Sequence, residues 1–401
     1  MEPGPATRTS RGDERPVTRT IALTERRPRA VKLPRAEVDF LLGPARHLID
    51  ISPTFERGTY TLTPRGYVGF FTGPAARYLI GPKIPWPNLQ FLLGSGVHPT
   101  GGTTRIPEGG LLGTLATAFA DQLEAVARAG LVAGYGEVES VSPFLRGKLR
   151  TAAQMRDAAS QAFPGHFHID EPSFDLNTPW NRIARSAATT LGTHPDVPRA
   201  TRERIETAAR PLAEVPNVHG TDADFSAART EPRAVGYHAL LDLCAIIQQG
   251  FSVADPLRTG SDAFLLDLGQ AFERYLFRSL RRELADRPGW SVDAHPAFAL
   301  GPVTLRPDVL VRKRAVARGV LDAKWKTTAL DPADLHQVLA YAGLTGAPRV
   351  GLVYPGRTDG RATFATPNGL VRVTRYRLRV VGTDSELTES TARLARHVCR
   401  P

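Results

Sequence analysis

From residue 262 onward the hydrophobic pattern changes period several times, and the order of those changes admits few architectures. Leu265, Leu268, Phe272, Leu276 and Leu280 recur at helical spacing, predicting a helix over about 263–286. Three alternating stretches follow, at about 291–299, 303–312 and 317–326, and read as strands. A second helix is expected from Asp331, a favourable N-cap followed by Pro332 at the first helical position, to about Leu344. Arg349 to Tyr354 and Val371 to Val381 then read as further strands. Helix, three strands, helix, strand predicts a mixed sheet with helices on its faces.

Charged residues fall at particular places in that series. Pro307-Asp308 is expected within the second strand, and Asp322-Ala323-Lys324 on the third. Strand side chains alternate, so Asp322, Lys324 and Lys326 share one face while Leu321, Ala323 and Trp325 share the other. If the second and third strands form a hairpin through Arg312–Arg318, Asp308 comes near Asp322. Two adjacent carboxylates do not both ionise cheaply without a cation between them. Oxygen ligands of this kind suit Mg²⁺, and a lysine two residues along orients or deprotonates a metal-activated water, an apparatus for phosphodiester hydrolysis. Gln337 and Tyr341 share a face of the next helix, and Glu273 on the preceding helix is within reach of the same place. A lone Asp-x-Lys is common on solvated strands; the ordered set of four elements is what favours a nuclease.

Glu273, Pro307-Asp308, Asp322-Ala323-Lys324 and Gln337-Val338-Leu339-Ala340-Tyr341 resemble the motif series of the PD-(D/E)xK nuclease superfamily. The wider stretches Leu305 to Leu310, Leu321 to Lys326, His336 to Ala342 and Val353-Tyr354-Pro355 are similar to one branch, McrC, the nuclease subunit of the McrBC 5-methylcytosine-dependent restriction system. Gly66 to Gly69 and Ile80 to Ile84 resemble that family's N-terminal β-region. Leu145 to Lys148 and Phe174 to Arg182 resemble its helical middle. The resemblance implies that Glu273, Asp308 and Asp322, with the Ala323 carbonyl, bind Mg²⁺. It implies that Lys324 positions the attacking water and that Gln337 helps place the water or the scissile strand. It further implies double-stranded, methylated DNA as substrate and an AAA+ GTPase resembling McrB as partner. That partner is stimulated through the N-terminal region. Apart from the resemblance, a nuclease guided only by phosphate attraction is expected to stay unproductive until a partner delivers DNA, with pairing of two nuclease domains for a double-strand cut as one way to do so.

The expected layout is an α+β multidomain chain. A disordered tail (1–20) precedes a β-rich, motor-docking domain (21–95) and a linker (96–110). A helical middle domain (111–261), a PD-(D/E)xK nuclease core (262–382) and a C-terminal tail (383–401) follow. The charge distribution agrees with a polyanion partner. The 401 residues carry 51 Lys and Arg against 40 Asp and Glu, a net +11. From Asp262 to the end the count is 22 against 14, so +8 of that charge lies there. An Arg-rich composition is the bland explanation. Only six residues are lysine, two of them Lys324 and Lys326, and a lysine kept amid so many arginines hints at a need for a compact ammonium.

Other features exclude functions. No run approaches the 18 apolar residues of a membrane span, and residues 1–20 lack the apolar core of a secretory signal. Two isolated cysteines, Cys244 and Cys399, make neither a disulfide framework nor a four-cysteine zinc site and fit a reducing cytosol; Cys244 reads as a packed core thiol. Gly147-Lys148 lacks the glycine and Ser/Thr of a P-loop. His166 and His168 share a strand face without a third zinc ligand. Arg375, Arg377 and Arg379 alternate with Tyr376, Leu378 and Val380, giving a basic face that suits either DNA phosphates or a solvated edge strand. Two rival functions remain. One is a non-catalytic adaptor that activates an AAA+ motor. The other is a stand-alone RecB-like nuclease, which leaves the first 260 residues without a role.

Overall fold

The computed structural model describes residues 19–94, 99, 109–157, 165–254, 257, 263–326, 330–367 and 369–399. Most of the expected tail at 1–20 and linker at 96–110 lies outside them. The chain divides into two units, residues 1–83 with 254–265 and residues 84–253 with 266–401.

The first unit is β-rich. Strands Arg19–Thr24, Ala76–Gly81, Tyr67–Thr72 and Ala263–Asp267 lie side by side in that order, the first three residues of the last belonging to this unit. Arg19–Thr24 runs parallel to Ala76–Gly81, which forms an antiparallel hairpin with Tyr67–Thr72. Gly69, at φ +131°, lies so near the last strand that a Cβ there would sit 2.0 Å from the Phe264 carbonyl oxygen, so only glycine fits. A three-stranded antiparallel sheet (Arg29–Lys32, Thr59–Pro64, Ile49–Pro53) and the helix Arg35–Leu42 complete the unit. Phe71 stacks on Tyr78 with ring centroids 4.8 Å apart, and the Tyr78 hydroxyl donates to buried Glu37 at 2.6 Å. The paired carboxylate and burial together push the Tyr78 phenol well above its usual range, burial contributing most.

Residues 263–267 correct the expectation of a single helix over 263–286. The run Ala263-Phe264-Leu265-Leu266 is buried at every position, and periodicity cannot tell such a strand from a buried helical turn. The helix begins at Leu268, where the Asp267 carboxylate accepts from the Gly269 N–H at 2.7 Å as its N-cap.

In the second unit, helices Gly110–Ala129, Pro179–Thr193, Arg199–Ala209, Asp222–Thr230 and His238–Ala254 form the middle region. Apolar stripes such as Leu112, Leu115, Phe119 and Leu123 build its core, and Cys244 is buried there. The middle is not wholly helical. Gly134–Ser142, Phe167–Asp175 and the short Lys148–Leu149 form an antiparallel sheet. Its strands expose many apolar side chains, so the buried-face signal that normally reveals a strand is weak.

The C-terminal part is a six-stranded mixed sheet in the order Trp290–Ala294, Val309–Lys313, Val316–Ala323, Arg349–Gly356, Arg372–Arg379 and Gly360–Ala365. The first three strands are antiparallel. The 316–323, 349–356 and 372–379 strands are parallel, and 360–365 returns antiparallel at the edge. Helix Pro332–Thr345 makes the crossover between the first parallel pair, and Val338, Tyr341 and Ala342 pack on Leu310, Val320, Val350, Leu352 and Tyr354. Helices Leu268–Leu284 and Asp384–Val398 pack on one another and on the sheet. Residues 384–398, expected within a tail, are thus a helix, opened by a reciprocal Thr383–Glu386 capping box. The Arg375/Arg377/Arg379 strand is interior, not an edge. Among the described residues, no helix is long and apolar enough to cross a membrane.

Two expected strands are each broken. Pro307 has no N–H to donate to a ladder, and the stretch around it leaves the sheet. Val303–Leu305 pairs instead with Phe298–Leu300 as a separate hairpin, and Asp308 stands immediately before the strand Val309–Lys313 rather than within it. His295, at φ +46°, ends the Trp290–Ala294 strand just before Pro296.

Candidate functional site

The hairpin of 309–313 and 316–323 turns at Arg314 and Ala315, both at positive φ, and pairs Val309 with Leu321. That register brings Asp308, one residue before the first strand, to the end of the second. There the Ala323 N–H donates to Asp308 Oδ2 at 2.7 Å. Asp322 and Ala323 end the strand, and Lys324 continues it by one bond, its N–H donating to the Val353 carbonyl at 2.8 Å.

The side chains interlock. Lys324 Nζ lies 2.7 Å from Asp322 Oδ2 and donates to Gln337 Oε1 at 2.9 Å. Gln337 Nε2 donates to the Tyr341 hydroxyl at 2.7 Å, and that hydroxyl donates to the Arg306 carbonyl at 3.1 Å. The chain therefore closes on the residue two before Asp308. The strand expected to reach residue 326 ends at Ala323, and Lys326 lies past it in a tight turn, its N–H donating to the Lys324 carbonyl at 2.9 Å while its ammonium pairs with Asp334 at 2.7 Å and Asp331 at 3.2 Å. The buried Tyr354 hydroxyl donates to Asp334 at 3.1 Å. On the opposite face Trp325 meets Phe272 edge-on with centroids 5.5 Å apart, bracing the helix that carries Glu273.

Glu273 and Asp308 are brought together with a residue that motif reading missed. One ligand atom from each of Glu273, His295 and Asp308 lies within 4.8 Å of the others. Asp322, expected among the metal ligands, is outside that mutual set; it is 1% exposed and ion-paired to Lys324. Nothing in the residue order marks His295, because its place in the cluster depends on the left-handed turn at the end of its strand.

The electrostatics follow from crowding carboxylates away from water. Burial, reinforced by Asp322 and Glu273, pushes Asp308 up to about 8. Burial also raises Glu273, with Asp267 and Asp322 adding to the shift. Asp322 is raised by burial despite the neighbouring Lys324 ammonium. Burial alone would lower Lys324, but its pairing with Asp322 outweighs that and holds the ammonium above its ordinary range. His295, though exposed overall, is drawn down by partial desolvation of its ring and by Arg306 and Arg274. A cluster of carboxylates with raised proton affinity, two of them beside an imidazole, is a donor set that fits a divalent cation. The His166/His168 pair has no such setting, since His168 Nε2 is 2.8 Å from Asp157 Oδ2.

Fold and site together define a mixed α+β protein with a carboxylate–lysine centre at one end of a doubly covered sheet. A family model described as McrBC 5-methylcytosine restriction system component matches residues 103–355. That is more than half the sequence, and the chain belongs to this family, in agreement with its resemblance to McrC. No curated protein matches it. Among solved structures, it is similar to a chain of the Thermococcus gammatolerans half-complex of McrB AAA+ hexamers with bound McrC. The TM-score is 0.50 at 17% identity, covering 94% of this chain and 100% of that one. The T. gammatolerans McrBC complex gives a TM-score of 0.40 at 19% identity, covering 67% and 88%. At these identities the first likeness is one of fold.

Proposed function

We propose that this chain is the Mg²⁺-dependent DNA endonuclease subunit of a modification-dependent restriction system, with residues 262–382 as a PD-(D/E)xK nuclease core. Its partner on this reading is an AAA+ GTPase resembling McrB, which the N-terminal β-region docks and stimulates. The substrate is methylated double-stranded DNA. The observation that carries the reading is that Asp308 accepts from the Ala323 N–H at 2.7 Å where the paired strands end, beside Lys324 held 2.7 Å from Asp322 and 2.9 Å from Gln337 of the next helix.

Glu273 and Asp308 would hold the cation, whereas Asp322, outside their mutual set and paired with Lys324, would act through the lysine. A bound divalent cation supplies a more acidic water and neutralises charge on the phosphate. Each residue has a separate task. The Ala323 N–H fixes the Asp308 carboxylate. Asp322 and Gln337 hold the Lys324 ammonium between them, so it orients a water or meets the developing phosphate charge without hunting among rotamers. Tyr341 orients the Gln337 amide and ties it to the Arg306 backbone, coupling the helix to the Asp308 loop. Because the Asp322 pair keeps Lys324 protonated, its role is that of a placed cation and hydrogen-bond donor.

The test is cleavage of methylated plasmid by the chain with an AAA+ GTPase resembling McrB, nucleotide and Mg²⁺. Asp322→Ala and Lys324→Ala abolish cleavage while leaving motor binding and stimulation intact. Normal cleavage by either variant would refute the assignment. Robust, methylation-blind cutting by the isolated chain would instead favour a stand-alone nuclease.

A further inference from the structure

We infer that His295 is a direct nitrogen ligand of the cation held by Glu273 and Asp308, which widens the margin by which the site binds Mn²⁺ over Mg²⁺. The inference rests on the metal-dependent reading above and adds to it a ligand and a choice of ion.

Three separate elements deliver the donors. Glu273 comes from the Leu268–Leu284 helix, His295 from the end of the Trp290–Ala294 strand, and Asp308 from the entry to the Val309–Lys313 strand. Their ligand atoms lie within 4.8 Å of one another. Ligands on opposite sides of an ion with bonds of about 2.1 Å stand about 4.2 Å apart. Three ligands cannot all stand opposite one another, so a bound ion would draw these donors inward from the 4.8 Å span within which they already face each other.

The backbone holds His295 in place. Its N–H donates to the carbonyl of Asp308 at 3.1 Å, which ties the imidazole-bearing residue to the residue whose carboxylate it joins. Its φ of +46° is uncommon for a residue with a side chain and is doubly costly before Pro296, since proline disfavours helical conformations in the residue before it. His295 is exposed and its carboxylate neighbours are partly exposed, so an ion can enter from solvent.

The donor chemistry sets the preference. Mg²⁺ is served by oxygen ligands and water and gains little from imidazole, whereas first-row transition ions bind imidazole nitrogen well. Two carboxylates with one imidazole therefore form a mixed set that widens the gap between Mn²⁺ and Mg²⁺ relative to three oxygens. Asn is the informative replacement, because it tolerates positive φ and returns an oxygen ligand in place of the nitrogen.

The experiment uses the full-length chain, Mn²⁺ and Mg²⁺, with titration calorimetry for affinity and pulsed EPR on bound Mn²⁺ for ligand identity. The expected result is a directly coordinated nitrogen signal that His295→Asn removes. In that variant Mn²⁺ binding weakens about tenfold or more, while Mg²⁺ binding changes by less than about threefold. Circular dichroism confirms that the variant is folded. Mn²⁺ binding that depends on Asp308 but shows no nitrogen, or is unchanged by His295→Asn, overturns the His295 ligand and leaves the metal site standing. Binding of both ions that ignores Asp308→Asn and Glu273→Gln overturns the metal site itself and the inference with it.

Discussion

Two sheets in the same unit obey opposite rules. The six-stranded sheet is covered by helices, and its strands bury Leu310, Val320, Leu352, Tyr354 and Leu378 almost completely. The three-stranded sheet of 134–142, 148–149 and 167–175 exposes Tyr135 at 82%, Phe174 at 60% and Val141 at 57%. Polar groups follow suit. In the open sheet, Arg150 pairs with Glu139 and Asp170 at the surface, where solvent screening leaves such pairs worth little. In the covered sheet, buried Asp322 is ion-paired with Lys324, which is linked through Gln337 and Tyr341 to the Arg306 backbone. A charged cluster persists at a covered sheet end only where each member has a partner, and that requirement also fixes side chains closely enough for chemistry.

The contrast is sharpened first by the relay's charged member. Lys324→Ala is expected to lower plasmid cleavage by about 10³-fold or more, on the scale of losing one preorganised transition-state donor. Lys324→Arg fails nearly as completely, because a planar guanidinium does not reproduce the ammonium seated between Asp322 and Gln337. Cleavage within threefold of wild type by the arginine variant would show that a generic cation suffices.

Core substitution compares the sheets directly. Leu352→Ala, in the covered sheet, should cost ~2–5 kcal/mol of unfolding free energy, whereas Val141→Ala, in the open sheet, should stay within ~0.5 kcal/mol. Equal losses in urea titrations would mean that the open sheet is buried in solution.

The acid cluster carries a pH signature. The unfolded-chain pKa of an aspartate is about 3.9, while Asp308 is raised to about 8 in the folded state. Between those values the folded chain binds more protons than the unfolded one, so stability falls as pH rises through that window and is lowest above pH 8. In metal-free buffer Asp308→Asn should flatten this slope and raise the melting temperature at pH 8, by on the order of 1–3 kcal/mol in stability. Divalent cation should stabilise the wild type and not this variant. A melting profile that rises from pH 5 to pH 8 in the wild type alone would contradict the crowding of the three carboxylates.

The smallest effect tests the relay's outer members. Gln337→Ala should reduce turnover by about tenfold, equivalent to ~1.4 kcal/mol, with DNA affinity unchanged, since the amide acts through Lys324. Tyr341→Phe should do the same more weakly. A loss confined to KM would instead place Gln337 on the DNA strand.

Residue order alone carried much of this molecule. Alternation put Asp322 and Lys324 on one face and Trp325 on the other, because side-chain direction along an extended backbone is fixed, whereas Lys326 lies in a turn past the strand's end. The Asp331-Pro332 helix start was equally legible, since a cap is satisfied by its immediate neighbours. The net +8 of the C-terminal segment and the spacing of Asp308, Asp322, Lys324 and Gln337 pointed to the same chemistry. Tertiary structure decided what depends on partners distant in the chain. Ala263–Asp267 became a strand because it found a sheet edge, although its apolar run also suits a helix. Strands 134–142 and 167–175 formed in a stretch that reads as helical, held by each other rather than by a buried face. Asp322 went to Lys324, while His295 joined Glu273 and Asp308. Periodicity records which face of an element a residue occupies; only the packing of three elements against one another decides which side chains meet at its end.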